Sequence, residues 1–248
     1  MTEFDERHPS ARLRHLLERN RALAEAEEAD PAFLARLRQL QRWQCARLTR
    51  SHADLAAQPR YAPGVAFFID DLYAPQDFSA RDADIEQALP YMIRLLPAKV
   101  LATAADAMTL QVLSRELDAA MVTALFADSG TNTDADDIDV ARYAQAYHIC
   151  DAFAERREQI ILLETLAERL EGYVHSRLLY ATLRMAHGPA KLIGLGDLQA
   201  FLERGFSAFR HMRGSKRFVH TIVDRETRYL EAIAAGSSDP FQTEAFSQ

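Results

Sequence analysis

The chain has 248 residues and a net charge of −7, with 48% apolar and 26% charged side chains. That length can bury the core of one large domain, and the acidic balance argues against the basic face of a nucleic-acid-binding protein. Gly and Pro number only nine each, Ala, Leu, Arg and Glu dominate, and strand-length β-branched runs are missing, so the sequence reads as all-α.

The first predicted helix spans about His8 to Ala29, with Leu13, Leu16, Leu17 and Leu23 on a narrow stripe. Asp30-Pro31 supplies a cap and a first-turn proline for a second helix, to about Leu55, carrying Phe33, Leu37, Leu40 and Leu48. So short a connection predicts antiparallel packing of the two. After a break at Gln58–Gly64, a short apolar helix covers Val65 to Tyr73. Ser79 and Asp82 form a capping-box pattern for the next helix, which Pro90 and Pro97 punctuate.

A long helix follows from about Ala98 to Phe126, then an acidic loop, then a helical stretch from Ile138 to about Val174, bent, continuing through a break near His175 to Ala186, where His187-Gly188-Pro189 ends it. Gly194-Leu195-Gly196-Asp197 is a turn with Asp197 as cap for the next helix, and Ser215 is the expected cap of the last one. The expected architecture is a single multi-helix bundle domain of about eight helices. Residues 1–56 form a charged N-terminal hairpin (within that domain or as a lobe), 57–236 the main bundle and 237–248 a flexible tail.

Cys45 and Cys150 stand alone in their segments and are expected to be free thiols. The charged N-terminus shows no export signal, and no apolar run reaches the roughly 20 residues of a membrane span. The expected setting is the cytoplasm.

Four patterns carry a resemblance: Phe67-Phe68-x-x-Asp71-Leu72-Tyr73, Asp77-Phe78-x-x-Arg81-Asp82, Leu198-Gln199-x-Phe201-Leu202-Glu203-x-Gly205-Phe206-x-Ala208-Phe209, and Phe218 with Ile222-x-x-Arg225-Glu226. From about Tyr61 to Ile233 the chain resembles the FFLEELY-motif family, with Asp70 and Asp71 in place of the usual glutamates. The resemblance implies a helical bacterial protein and carries over no catalytic residue.

The candidate ligand-binding residues are Asp70, Asp71, Tyr73, Asp77, Arg81 and Glu226. On an α-helix Phe68 and Leu72 share one face and Phe67 and Asp71 the next. Burying both rings then buries Asp71, which needs a partner. Arg81 is the expected one, in a clasp pinning the Tyr-Ala-Pro turn; the alternative is a ligand or metal carboxylate. Ser79 and Asp82 are read as caps. Glu226 falls inside the apolar stripe Val219, Ile222, Val223, Leu230 and Ile233 of the last helix. It must be paired across the core or line a cavity, with Arg184, Lys191 or His148 as conceivable partners.

His148, Asp151 and Glu155 recur on one helix face, as do Glu164, Glu168, Glu171 and His175, but the Glu-x-x-His spacing of di-iron bundles is absent. The Asp128–Asp139 loop lacks the sixth-position glycine of a calcium loop, so its acids are expected to favour a helix N-terminus. Arg12, Arg14, Arg19 and Arg21 are expected to lie on a solvated face, and Gly205 to allow close helix packing. No metal or cofactor is expected. The leading expectation is a non-catalytic binding or interaction protein, a possible homodimer or partner of another protein through its hairpin stripes. The alternative is an enzyme or small-ligand binder with a carboxylate-lined cavity between helices.

Overall fold

The computed structural model describes residues 8–73, 79–127, 137–174, 176 and 194–242. They form α1 (Pro9–Ala29), α2 (Pro31–Ser51), the short α3 (Ala53–Ala56) and α4 (Ala62–Ala66), a π-helical segment (Phe67–Tyr73), α5 (Ser79–Leu95), α6 (Ala98–Leu125), α7 (Val140–Cys150), α8 (Phe153–Val174), α9 (Gly196–Met212) and α10 (Lys216–Ala234). The protein is all-α, with no strand among the described residues.

α6 is the axis of the bundle, packed on α1, α2, α7 and α8. Leu13 and Leu17 of α1 cluster with Leu101, Ala105 and Met108 of α6. The stripe of α1 is therefore covered by α6, and α1 touches α6 far more than α2. Leu37 and Leu40 of α2 join Met121 and Leu125 of α6 and Tyr143 of α7. A third cluster joins Leu48, Val65 and Phe68 to Ala167, Phe209, Met212 and the α10 stripe Phe218, Val219, Ile222 and Val223. The α1 arginines are not simply solvated. Arg12 and Arg169 of α8 share Asp106 of α6, Arg19 pairs with Glu116, and Arg21 with Glu86.

Local caps form where the sequence places them. Asp30 accepts from the Ala32 and Phe33 amides at 3.0 Å each, and Asp139 from the Arg142 amide at 2.8 Å. Other helix starts are capped from a distance. The Asp197 and Leu198 amides of α9 both donate to Asp84 of α5 at 3.0 Å, so Asp197 is not the cap. Ser215 donates its amide, at 2.9 Å, and its hydroxyl to Glu171 of α8 rather than capping α10 with its own side chain. A carboxylate delivered by packing is a stronger acceptor for such amides than a local hydroxyl. Asp82 likewise serves more than a cap: it accepts from Asn20 at 2.8 Å and Gln111 at 2.7 Å.

Two expected boundaries move. α5 runs through Pro90, flanked by the packed Leu89 and Met92. Between α7 and α8 the chain breaks at Asp151, whose φ of 48° is left-handed. The break separates His148 from Glu155, so the expected single face does not form. Residues 237–248, expected to be loose, are described as far as Gln242, and there Pro240 is buried and Phe241 packs onto the α2–α6–α7 cluster. The Ser79 side chain, Asp77, residues 128–136, His175, Arg184, Lys191 and the expected helix continuation to Ala186 with its His187-Gly188-Pro189 stop lie outside the described residues.

Gly205 has the close-packing role expected of it. A Cβ there would stand 2.8 Å from Cζ of Phe67, a buried ring with little room to move. Gly205→Ala gains up to about 1 kcal/mol of helix propensity. Overpacking costs about 1–3 kcal/mol, so the clash should win and urea unfolding should show a net loss of stability. An Ala variant as stable as the parent would mean that Phe67 yields freely.

Candidate functional site

The motif segment Phe67–Tyr73 is a π-helix rather than an α-helix. Its i→i+5 repeat places Tyr73, not Leu72, beneath Phe68. The Phe68 and Tyr73 ring centroids are 4.9 Å apart, while Leu72 is 39% exposed. This corrects the expected Phe68–Leu72 face. Asp71 is buried, as expected, but its carboxylate is held by Arg204 of α9 at 2.6 and 2.8 Å. Arg81 instead reaches the Asp71 carbonyl at 3.4 Å, Asp82 at 3.3 Å and Gln111 at 3.1 Å. Asp70 is exposed, and its charge, after burial, pushes the Cys45 thiol up.

Glu226 lies in a polar centre inside the bundle with Arg47 and His52, near enough to Tyr73 for its charge to act on the phenol. Arg47 Nη1 donates to both Glu226 oxygens, at 2.5 and 2.7 Å, and His52 Nε2 donates to one of them at 3.2 Å. Of the conceived partners, Arg184 and Lys191 lie outside the described residues, and His148 donates instead to the Ile233 carbonyl at 2.8 Å. Burial alone would raise the Glu226 carboxyl. The Arg47 charge and the hydrogen bonds from His52 and Arg47 outweigh it and hold the group at about 2. Burial, then the Glu226 charge, drives the Tyr73 phenol up. Burial, then Tyr147, does the same to Tyr143. Asp118 of α6, raised by burial, accepts from Gln44 at 3.0 Å, and the Arg156 charge opposes the rise. Beside the centre, Arg225 is only 2% exposed; it grips Asp54 at 2.6 and 2.8 Å and the Ser51 carbonyl at 2.9 Å.

An aromatic socket opens next to this centre. Trp43 of α2 stacks on Tyr143 of α7 with centroids 4.1 Å apart. Phe241, from the strap after α10, sits 6.0 Å from Trp43, 6.1 Å from Tyr143 and 5.5 Å from Tyr229, in edge-on or tilted contacts. The Arg47 guanidinium lies 5.3 Å from the Phe241 centroid. Arg47 thus faces Glu226 on one side and the strap on the other. Gly236, with φ of 74°, turns the chain back toward the socket.

Chemically, Glu226 stays ionised and the two tyrosines stay neutral across the physiological range, so none of these three is poised for proton transfer near neutral pH. A cavity of about 10 Å³ lies between Leu117, Met121, Tyr147, Cys150, Ala152 and Arg156, room for one water and lined by no carboxylate. Among the described residues, no three His, Cys, Asp or Glu side chains are grouped to hold a metal ion. Cys45 and Cys150 are free. No helix is long and apolar enough to cross a membrane, among the described residues.

Sequence reasoning missed Arg47, His52, Trp43, Tyr143 and Phe241. Arg47 carried a usable signal, since it interrupts the apolar stripe of α2 as Glu226 interrupts that of α10. Phe241, one of two phenylalanines in a tail without helical periodicity, carried none.

Fold and site define an all-α bundle with a buried ion-pair centre beside a strap-filled aromatic socket. The chain belongs to the family described as a domain of unknown function, DUF8198, whose model matches residues 23–240. No curated protein and no solved structure matches it.

Glu226→Gln removes the charge but keeps the shape, leaving Arg47 buried without a counter-ion. Breaking such a pair costs about 3–5 kcal/mol, which urea unfolding at pH 7 should show. The Glu226 carboxyl lies below its ordinary 4.5 in the folded chain. Its contribution is therefore complete above pH 4.5 and lost as pH falls towards 2. The wild type should lose this increment across that window and the Gln variant should not; parallel acid-stability curves would refute the pairing.

Proposed function

We propose that this protein is a non-catalytic binding protein, and that the socket of Trp43, Tyr143, Tyr229 and Arg47 is where it binds. One observation carries the reading: a non-helical segment already places an aromatic side chain, Phe241, in a socket built by three helices. Deeply seated aromatics flanked by Arg are the usual anchors of recognition. The seated strap is short, and Ser237, Ser238 and Asp239 leading to it are exposed, so exchange for another segment disturbs little else.

The same reading sets the protein in the cytoplasm, where two free thiols are at home. It takes the Phe67–Tyr73 segment as that of a bacterial FFLEELY-motif protein. The partner is a protein segment, and a second copy of this chain is one source of it. The hairpin leucines Leu13, Leu17, Leu37 and Leu40 are packed against α6, which favours the socket over the hairpin stripes as the binding surface.

The test uses full-length Phe241→Ala and a synthetic peptide of residues 236–248. Trp43 is the chain's one tryptophan, so its fluorescence reports the socket alone. Saturable binding is expected in the variant, and weaker apparent binding in the wild type, where the tethered strap competes. Absence of saturable change up to millimolar peptide would remove the socket as a binding site.

A further inference from the structure

Phe241 fits the socket by shape and leaves polar groups around it unanswered. Among the described residues, Arg47 Nε, Tyr229 Oη and His52 Nδ1 are buried without a hydrogen-bond partner. Arg47 is 8% exposed, Tyr229 5% and His52 1%. All three belong to one neighbourhood. Arg47 and His52 both hold Glu226, and Tyr229 stands one helical turn beyond it on α10. Two of the three, Arg47 and Tyr229, are the residues whose flat groups flank the Phe241 ring. A buried donor left unpaired is costly, and native interiors leave few of them. A phenyl ring offers such donors only its π face and no lone pair.

We infer that the socket's proper guest is an aromatic ring bearing an oxygen acceptor, a carboxylate or a phenol, which keeps the ring position of Phe241 and accepts from Arg47 Nε and Tyr229 Oη. Phe241 is then a tethered stand-in that keeps the socket closed. This rests on the socket being a binding site. It adds the chemistry of the guest: Arg47 supplies a charge-assisted donor, Tyr229 a neutral one, and Trp43 and Tyr143 the walls. The carboxylate of Glu226 sits behind Arg47 and holds its guanidinium oriented, so a guest meets a donor already fixed in place.

The experiment compares two peptides of residues 236–248 on full-length Phe241→Ala, one with phenylalanine and one with 4-carboxyphenylalanine at position 241. The carboxylated ring should bind at least ten-fold tighter, and the advantage should shrink in Phe241→Ala/Tyr229→Phe. Removing a hydroxyl that has no partner leaves the fold intact, and the unchanged affinity of the phenylalanine peptide checks this. Equal or weaker binding of the carboxylated peptide overturns the inference, while saturable binding of the phenylalanine peptide leaves the socket itself standing. An advantage undiminished by Tyr229→Phe comes from general charge attraction and also overturns it. Benzoate, titrated by calorimetry, separates the two sources of such a ring. Saturable uptake of benzoate points to a free aromatic acid, and carboxylated-peptide binding without it points to a ring carried on a segment.

Discussion

The ion pair between Arg47 and Glu226 joins residues 179 positions apart in the sequence and sets α2 against α10. Taking both charges out of water is expensive, and a well-packed apolar pair of the same volume would often do as well for stability. What the pair supplies is register. An apolar stripe tolerates sliding by a turn, whereas a buried guanidinium has one acceptable place for its counter-ion. The neighbouring residue repeats the constraint: Arg225 closes on Asp54 and on the Ser51 carbonyl. Two consecutive side chains of α10 therefore clamp the stretch from Arg47 to Asp54.

The π-helical segment serves the same centre. Widening the turn removes Leu72 from beneath Phe68 and puts Tyr73 there, so the tyrosine enters the bundle while Asp71 turns to Arg204 of α9. The family-like segment thus divides its work. Its tyrosine packs against Phe68 within reach of the Glu226 charge, and its second aspartate fastens α9. Close approach of α9 also requires Gly205 beneath Phe67. Functional sites are a frequent setting for π-helical turns; here the turn delivers one side chain that an α-helix would have left outside.

Which parts of this were legible depends on the range of the interaction. Asp30 and Asp139 act within one turn of their own helices, and both could be read directly. Asp84 and Glu171 cap helices far away in the chain, and only tertiary packing reveals them. Leu-rich stripes marked α1, α2 and α6 because amphipathic periodicity is a local property. The π-turn could not be seen, since Phe-Phe-Ile-Asp-Asp-Leu-Tyr has the same composition whether the repeat is four or five residues. Glu226 stood out as a charge inside a stripe, yet a single sequence does not say which of many cations answers it. Applying the same rule to α2 would have singled out Arg47. Of the six candidate residues, Tyr73 feels the charge of Glu226, Arg81 reaches the backbone carbonyl of Asp71, Asp70 faces solvent, and Asp77 lies outside the described residues.

The strap has a thermodynamic consequence of its own. A phenyl ring held by a short tether presents itself to the socket at an effective concentration in the millimolar range. Each favourable ring contact adds about 0.5–1.5 kcal/mol beyond burial, so an incoming guest competes with a filled site. If the socket binds as proposed, the strap would have to leave first, and apparent affinity would fall by the fraction of time the socket is open. A guest that only matched Phe241 would gain little against a competitor already attached. One that also answers Arg47 and Tyr229 gains interactions the strap cannot make, and that difference, rather than ring burial, is what would discriminate a true ligand from the tail.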